Sequence, residues 1–188
     1  MTARPPDPDD LPAWAVEAVH LSAYDPGWPA RAEAYAAELR PVLGPWLLTP
    51  IEHVGSTSVP GLVAKPVIDL MALVTGLDAV VGERAATLDG MDWRYVPPEL
   101  DGRPFRRFFA KVSPDDRHRR AHLHLMAAGA DRWDLQLRFR DALRADPALR
   151  DEYAAVKSGL ARAHSGDRER YTDEKATFVV KVLRGLAR

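Results

Sequence analysis

The stretch that most constrains the fold covers residues 51–74, IEHVGSTSVPGLVAKPVIDLMALV. Apolar residues lead into a Gly-Ser-Thr-Ser turn, a Pro-Gly pair and Lys65 follow, and a second apolar run carries one acid, Asp69. This order predicts a strand, a polar turn and a second strand. Because it gathers small hydroxyl residues and backbone amides near one carboxylate, the stretch is typical of a phosphate or nucleotide site.

Composition limits the class of protein. The 188 residues, of which 46% are hydrophobic, are enough for one globular domain with an ordinary core. A formal charge of -1 argues against bulk nucleic-acid binding, and the lack of cysteine excludes disulfides, zinc ribbons and thiol catalysis. The N-terminus has no signal-peptide pattern, and no apolar run approaches the ~20 residues of a membrane span. We therefore expect a cytoplasmic protein with no membrane partner.

Strands and helices are predicted on both sides of this stretch. We expect residues 1–12 to form a flexible lead-in and residues 13–188 a single domain. Residues 16–21 read equally as a short strand or a helical turn. Apolar spacing predicts helices over residues 30–43 and 77–88, and strands over residues 46–54, 67–74, 93–96, 105–112 and 121–126. The fold class is therefore α/β (α+β), a mixed sheet flanked by helices.

The last third of the chain is predicted to be helical. Asp131 is expected to cap a helix to about residue 144, and Asp146 before Pro147 to cap the next, to about residue 163. Thr172 is expected to cap the final helix. Its expected apolar stripe is Val179, Val182, Leu183 and Leu186, and the expected core aromatic residues of this part are Trp133, Phe139, Tyr153 and Phe178.

The residues EHVGSTSVPGLVAKPVIDL resemble the GrpB family. Similar motifs follow in the family's order over about residues 16–186: YDP with WP at 24–29, FFAK at 108–111, HLH at 122–124, FRD with LR at 139–144, EYA with Lys157, and Tyr171 with Lys175 and Phe178. The resemblance implies the nucleotidyltransferase fold shared with DNA polymerase beta and aminoglycoside nucleotidyltransferases. Some relatives are fused to dephospho-CoA kinase, and a folding-helper role has been suggested for that domain.

The resemblance also assigns positions in the site. The superfamily keeps a Gly-Ser pair on a turn, two carboxylates one residue apart on the next strand, and a third acid on a later strand. Gly55-Ser56 matches the turn and Asp69 the first acid, but Met71 stands where the second acid would be. One carboxylate is a poor cage for a hard divalent ion, so this departure argues against a two-metal site.

His122 and His124 are the candidates to complete the site. An His-x-His pair on a strand presents both rings to one face. Imidazoles suit Zn²⁺ or Mn²⁺ better than Mg²⁺. We hypothesise that Asp69, His122 and His124 form the catalytic group and a metal or phosphate site. The cofactor implied is a divalent metal, Mg²⁺ or Mn²⁺ with Zn²⁺ as an alternative, together with a nucleoside triphosphate.

Further residues are predicted to contact the nucleotide: Gly55, Ser56, Thr57, Ser58, Lys65, Lys111, Tyr171 and Lys175. The turn supplies hydroxyls and amides. Tyr171 and Lys175 stand one helical turn apart and would reach a phosphate if the last helix covered the cleft. Arginines near Lys111, at positions 103, 106, 107, 117, 119 and 120, suit phosphate binding or form a solvated hairpin.

Plainer interpretations remain open at each position. The Gly-Ser-Thr-Ser segment also fits a tight turn whose hydroxyls satisfy local backbone groups. Asp69 also fits a structural acid bonded to Lys65 or an arginine, and the two histidines fit ordinary packing. Three functions follow: nucleotidyl transfer to a small acceptor, non-catalytic binding of an anion or metabolite on a degenerate transferase fold near coenzyme A metabolism, and a metal-dependent phosphoesterase.

Overall fold

The computed structural model describes residues 11–17, 20–163 and 168–186, and the side chains of all of these except residues 168–173. Most of the predicted lead-in at residues 1–12 lies outside the described residues. Residues 16–21, for which a short strand and a helical turn were both expected, lie partly outside the described residues. Just beyond it, Ser22 forms an isolated antiparallel bridge with Ala64.

Six helices and five strands make up the described chain. The helices are α1 Trp28–Leu43, α2 Leu77–Asp89, α3 Pro98–Asp101, α4 Asp131–Ala145, α5 Pro147–Ala163 and α6 Arg168–Gly185. The strands are β1 Glu52–Val54, β2 Ile68–Val74, β3 Trp93–Val96, β4 Arg106–Val112 and β5 Arg119–Ala127. They form one sheet in the order β1-β2-β5-β4-β3. The predicted α/β class with a helical last third is confirmed.

β1 is shorter than predicted. The strand expected over residues 46–54 covers only Glu52–Val54, because residues 44–46 form a 3-10 turn and Leu47 makes an isolated bridge to Val74. Pro50 interrupts the expected strand, since proline has no N–H to donate to a ladder. The prediction was therefore wrong over residues 46–51.

The helix starts differ in what caps them. Asp146 accepts hydrogen bonds from the backbone N–H of Ala148 and Leu149 at 2.9 and 3.1 Å, so the predicted cap of α5 is confirmed. Asp131 is instead the first residue of α4, and the residue before it makes no side-chain cap bond. An acid in the first turn still favours the helix through its dipole. The prediction that Asp131 is the cap was wrong.

α6 begins before the predicted cap. It starts at Arg168, so Thr172 lies inside the helix and the prediction that it caps this helix was wrong. Residues 168–170 are arginine and glutamate, which are good helix formers and let the helix extend toward the N-terminus.

Among the described residues, no helix combines the length and apolar character that crossing a membrane requires.

The chain forms two compact units, and it passes from one to the other inside α1, β1 and β2. The first unit comprises Ala34–Glu52 and Leu70–Ala128 with the N-terminal segment up to Glu17; the second comprises Ala18–Glu33, His53–Asp69 and Gly129–Arg188. A single domain over residues 13–188 stays a prediction.

The core of the second unit joins the turn region to the three C-terminal helices. Its buried members are Val59, Leu62, Phe139, Leu143, Tyr153, Phe178 and Val182. Tyr153 stands at its centre, with ring centroids 5.3 Å from Phe139 and 5.2 Å from Phe178. Trp133 is only half-buried, so its prediction as a core residue was wrong, and Leu186 at the end of the expected apolar stripe is exposed. Because Val59 and Leu62 belong to this core, the helices fix the segment that follows the polar turn.

Candidate functional site

The turn and the acid of β2 are in direct contact. Gly55 has φ 69° and ψ -171°, a region of backbone conformation that is essentially restricted to glycine. A Cβ atom on Gly55 would lie 2.2 Å from Oδ2 and 2.9 Å from Cβ of Asp69. The carboxylate therefore lies against the backbone of the turn, and only glycine leaves room for it there.

Two of the three hydroxyls in the turn serve the turn itself. The Ser58 hydroxyl donates to the carbonyl oxygen of Gly55 at 2.6 Å, and Ser58 is buried. The Thr57 hydroxyl is buried 3.0 Å from Nε2 of His53 and 3.5 Å from the carbonyl oxygen of Val67. The hydroxyls of Thr57 and Ser58 thus find their hydrogen-bond partners in and beside the turn, as in the plainer interpretation of this segment. Ser56 is half-buried, and its hydroxyl has no hydrogen bond within the described part of the chain.

Cationic side chains of α4 and α5 hold the carbonyl oxygens of the turn and of the segment after it. The pairs are Arg140 to His53 at 3.1 Å, Arg144 to Ser58 at 2.9 Å, Arg150 to Pro60 at 3.4 Å, and Lys157 to Val63. The three arginine donors are charged, and bonds from charged donors are stronger than neutral ones. These helices thus fix the shape of the turn and bring positive charge beside it. Our site prediction from sequence did not include these four residues.

Lys157 is the most unusual of these cations. It is 1% exposed, and its Nζ lies 5.1 Å from the ring centroid of Tyr153. The pKa of Lys157 is lowered to about 7, mainly by burial and in part by the charge of Lys175, while the charge of Asp69 opposes the change. The predicted ligand residue Lys175, which is half-buried, therefore lies in the electrostatic surroundings of Lys157.

His53 adds a neutral imidazole at the start of the turn. Burial lowers its pKa from 6.5 to about 4; the charge of Asp69 opposes this, and Arg144 and Arg140 add to it. The ring is therefore neutral at pH 7 and available for its contact with the Thr57 hydroxyl. His53 is best described as part of the structure of the turn.

Asp69, His122 and His124 form a group on neighbouring strands of the sheet. Asp69 stands on β2, and the histidines stand two residues apart on β5. Each offers a ligand atom, and these atoms all lie within 4.8 Å of one another, with all three residues half-buried. The structure brings the three predicted residues together.

Met71 stands where the family resemblance implies a second acid. It lies two residues after Asp69 on β2, so the two side chains share a face of the strand. Met71 is 1% exposed, and a thioether is a poor ligand for hard cations. The position is filled by buried apolar packing.

His124 is held by a pair of charged residues in the first unit. Arg106 donates through Nη1 to Nδ1 of His124, and its Nε and Nη2 donate to the Asp101 carboxylate at 2.8 and 2.5 Å. The Phe108 ring stacks on His124 with a centroid distance of 5.3 Å and an interplanar angle of 21°. The side chains of Arg106 and Asp101 are 12% and 5% exposed, so water screens this pair little.

Lys111 is not on the same face of the sheet as the histidines. On β4 the side chains alternate, and Phe108 contacts both His122 and His124. Lys111 lies on the opposite face, where its Nζ is 2.8 Å from a Glu38 carboxylate oxygen and covers the ring of Trp93. The structure assigns Lys111 a structural ion pair.

The other residues predicted to contact the nucleotide, and the arginines near Lys111, do not form one cluster among the described residues. Lys65 is half-buried in the segment before β2. The side chain of Tyr171 lies outside the described residues. Of the predicted arginine cluster, Arg107 binds Asp78 and Arg119 binds the carbonyl oxygen of Ala15. These arginines serve separate structural contacts.

The sequence matches a described family over most of its length. The GrpB protein family matches residues 18–185. A UPF0157 protein of Halalkalibacterium halodurans is 37% identical over 168 residues, covering 88% of this chain and 81% of the relative. A UPF0157 protein of Pseudomonas aeruginosa is 42% identical over 163 residues, and the alignment covers 85% of this chain and 64% of that protein. The dephospho-CoA kinase of Mycobacterium leprae is 28% identical, with 85% of this chain matching 44% of the kinase.

Solved structures agree with the family match. GrpB from Enterococcus faecalis has a TM-score of 0.77 at 28% identity, covering 90% of this chain and 100% of that one. The Cid1 poly(U) polymerase with Mg 3'-dATP bound has a TM-score of 0.54 at 12% identity, covering 81% of this chain and 49% of the polymerase. The second similarity shows the fold alone. The chain belongs to the GrpB family and has a nucleotidyltransferase-like fold.

Proposed function

We propose that this protein binds a nucleoside triphosphate and transfers its nucleotidyl group to a small acceptor. The contact between Gly55 and Asp69 is the observation that carries the proposal. It keeps a carboxylate against a turn whose backbone conformation is open to glycine and rarely to other residues, and only the missing Cβ of Gly55 leaves room for that carboxylate. The fold supports the same proposal, since a protein with this fold is described with Mg 3'-dATP bound.

The charges around the turn suit a polyphosphate. The charges of Lys175 and Asp69 both act on Lys157, and Arg140 and Arg144 hold carbonyl oxygens at the turn. A lysine with a pKa of about 7 is easily protonated when an anion arrives. Phosphate binding would therefore stabilise a charge that is costly in the ligand-free protein.

The donor set fits one divalent ion rather than two. One carboxylate and two imidazoles suit Mn²⁺ or Zn²⁺, and Met71 offers no second hard ligand for a pair of Mg²⁺ ions. A bound divalent ion would neutralise charge on the phosphates. Asp69 with one or both histidines would hold it, while the turn and the lysines would orient the phosphate chain.

Met71 favours a second candidate function, a binding module without catalysis. A single carboxylate on a degenerate transferase fold would bind an anionic metabolite without activating an acceptor hydroxyl. The match to part of a dephospho-CoA kinase makes a ligand of coenzyme A metabolism suitable to test first. This candidate shares the binding site with the first and differs from it in the absence of turnover.

The two candidates are separated by following the α-phosphate. The protein is incubated with Mn²⁺ and each of four nucleoside triphosphates, labelled at the α-phosphate, in the presence of a pool of small metabolites. Transfer predicts a labelled adduct, release of pyrophosphate, and loss of both in Asp69→Asn. Triphosphate binding with no adduct supports the binding module. If the protein neither binds nor transfers in any metal tested, both candidates are rejected.

A further inference from the structure

The hydrogen bond between Arg106 and His124 determines which ring nitrogen of the histidine carries the hydrogen. A guanidinium is always protonated in proteins and has no acceptor atom, so Arg106 can only donate. Nδ1 of His124 must therefore accept with its lone pair. In the neutral ring the hydrogen then sits on Nε2, because only one ring nitrogen of a neutral imidazole is protonated.

Packing holds Arg106 in the orientation that this bond needs. Its Nε and Nη2 engage both oxygens of Asp101, which leaves Nη1 for His124. The guanidinium also lies over the Phe108 ring, 4.7 Å from the centroid, and Phe108 stacks on His124. The tautomer of His124 is thus set by Arg106, which is bonded to Asp101 and lies over the Phe108 ring, and not by solvent.

We propose that His124 donates a hydrogen bond from Nε2 to an anionic oxygen of the ligand, and that Arg106, held by Asp101, is the positioning residue that sets this tautomer. The ligand class is a phosphoryl group, and this part rests on the proposed function. A hydrogen on Nε2 changes the role of His124 in the group that it forms with Asp69 and His122. A nitrogen that carries hydrogen has no lone pair for a metal, so Nε2 of His124 would contact the phosphate and not an ion.

The tautomer is measured without any ligand. The full chain is labelled with ¹⁵N-histidine, and the ring signals of His124 are identified by long-range ¹H–¹⁵N NMR and by their loss in His124→Gln. We expect the Nε2–H tautomer in the wild type and in the control Arg107→Met, which removes a neighbouring arginine bound to Asp78. Arg106→Met should show both tautomers. An Nδ1–H tautomer in the wild type, or an unchanged tautomer in Arg106→Met, would overturn the positioning role.

The donor role is measured with inorganic tripolyphosphate and Mn²⁺. His124→Phe removes the donor and keeps a ring beside Phe108, whereas His124→Gln retains an N–H donor. Losing one bond to a charged oxygen should weaken tripolyphosphate binding about tenfold in His124→Phe, with the glutamine variant within about threefold of wild type. Equal affinities in the two variants would reject the donor role.

The outcomes separate this inference from the proposed function. If no variant and not even the wild type binds tripolyphosphate, the proposed function and the donor role are both rejected. The NMR result still confirms or rejects the role of Arg106, because it needs no ligand.

Discussion

Oδ2 of Asp69 lies 2.2 Å from the point where a side chain on Gly55 would place its Cβ atom. The position of the Asp69 carboxylate therefore depends on a glycine that lies 14 residues earlier in the chain. Any residue with a Cβ at position 55 has to displace the carboxylate, the turn or both.

Gly55→Ala is expected to destabilise the protein far more than Gly102→Ala. Both glycines have positive φ, 69° and 65°, but a Cβ on Gly102 would meet no atom within 4 Å. The Gly102 variant should lose about 1–2 kcal/mol of unfolding free energy, the cost of a left-handed conformation. The Gly55 variant should lose at least about 2 kcal/mol more because of the clash. Urea denaturation measures both; equal losses would show that the turn yields at no cost.

Lys157→Met is expected to remove a pH dependence of stability. The folded pKa of about 7 lies below the unfolded value of 10.5, so the unfolded chain binds more protons between these pH values. Wild-type stability should therefore gain up to about 1.4 kcal/mol per pH unit from pH 7 to 10 relative to Lys157→Met. Denaturation at several pH values measures this gain.

The matched control for this lysine is Lys181→Met, which removes an exposed lysine paired with Glu152. Its stability should follow that of the wild type across the same pH range. Parallel curves for wild type and Lys157→Met would contradict the lowered pKa.

His53→Gln is expected to change stability in acid. The folded pKa of His53 is about 4, below its usual 6.5, so the unfolded chain takes up the proton first as the pH falls. Wild-type stability should therefore decline between pH 6.5 and 4 more steeply than that of His53→Gln, in which the amide can still contact the Thr57 hydroxyl. Thermal unfolding across this range is the measurement, and equal slopes would contradict the assignment.

The local parts of the site could be predicted from the sequence. Gly55, Ser56 and Asp69 lie within 15 residues, so a turn followed by a strand is enough to place them near one another. The pairing of His122 with His124 follows from the period of two in a strand. These features depend on short-range geometry, and the sequence pattern expresses it directly.

The long-range parts could not be predicted in the same way. Arg140, Arg144 and Lys157 contact carbonyl oxygens 86 to 94 residues away, and a backbone carbonyl leaves no mark in a sequence. Lys111 was grouped with nearby arginines by position along the chain, yet it bonds Glu38 on the face of β4 away from Phe108. Helix limits failed at Thr172 because good helix formers precede it.

The most direct test of the account is calorimetric titration of a non-hydrolysable ATP analogue with Mn²⁺ into the wild type and Asp69→Asn. The substitution removes the charge and nearly preserves the shape beside Gly55, so folding should be retained and is checked by circular dichroism. We expect the wild type to bind and Asp69→Asn to bind at least about tenfold more weakly, the loss expected for one interaction with a charged group. No binding by the wild type, or equal affinity in the two proteins, would contradict it.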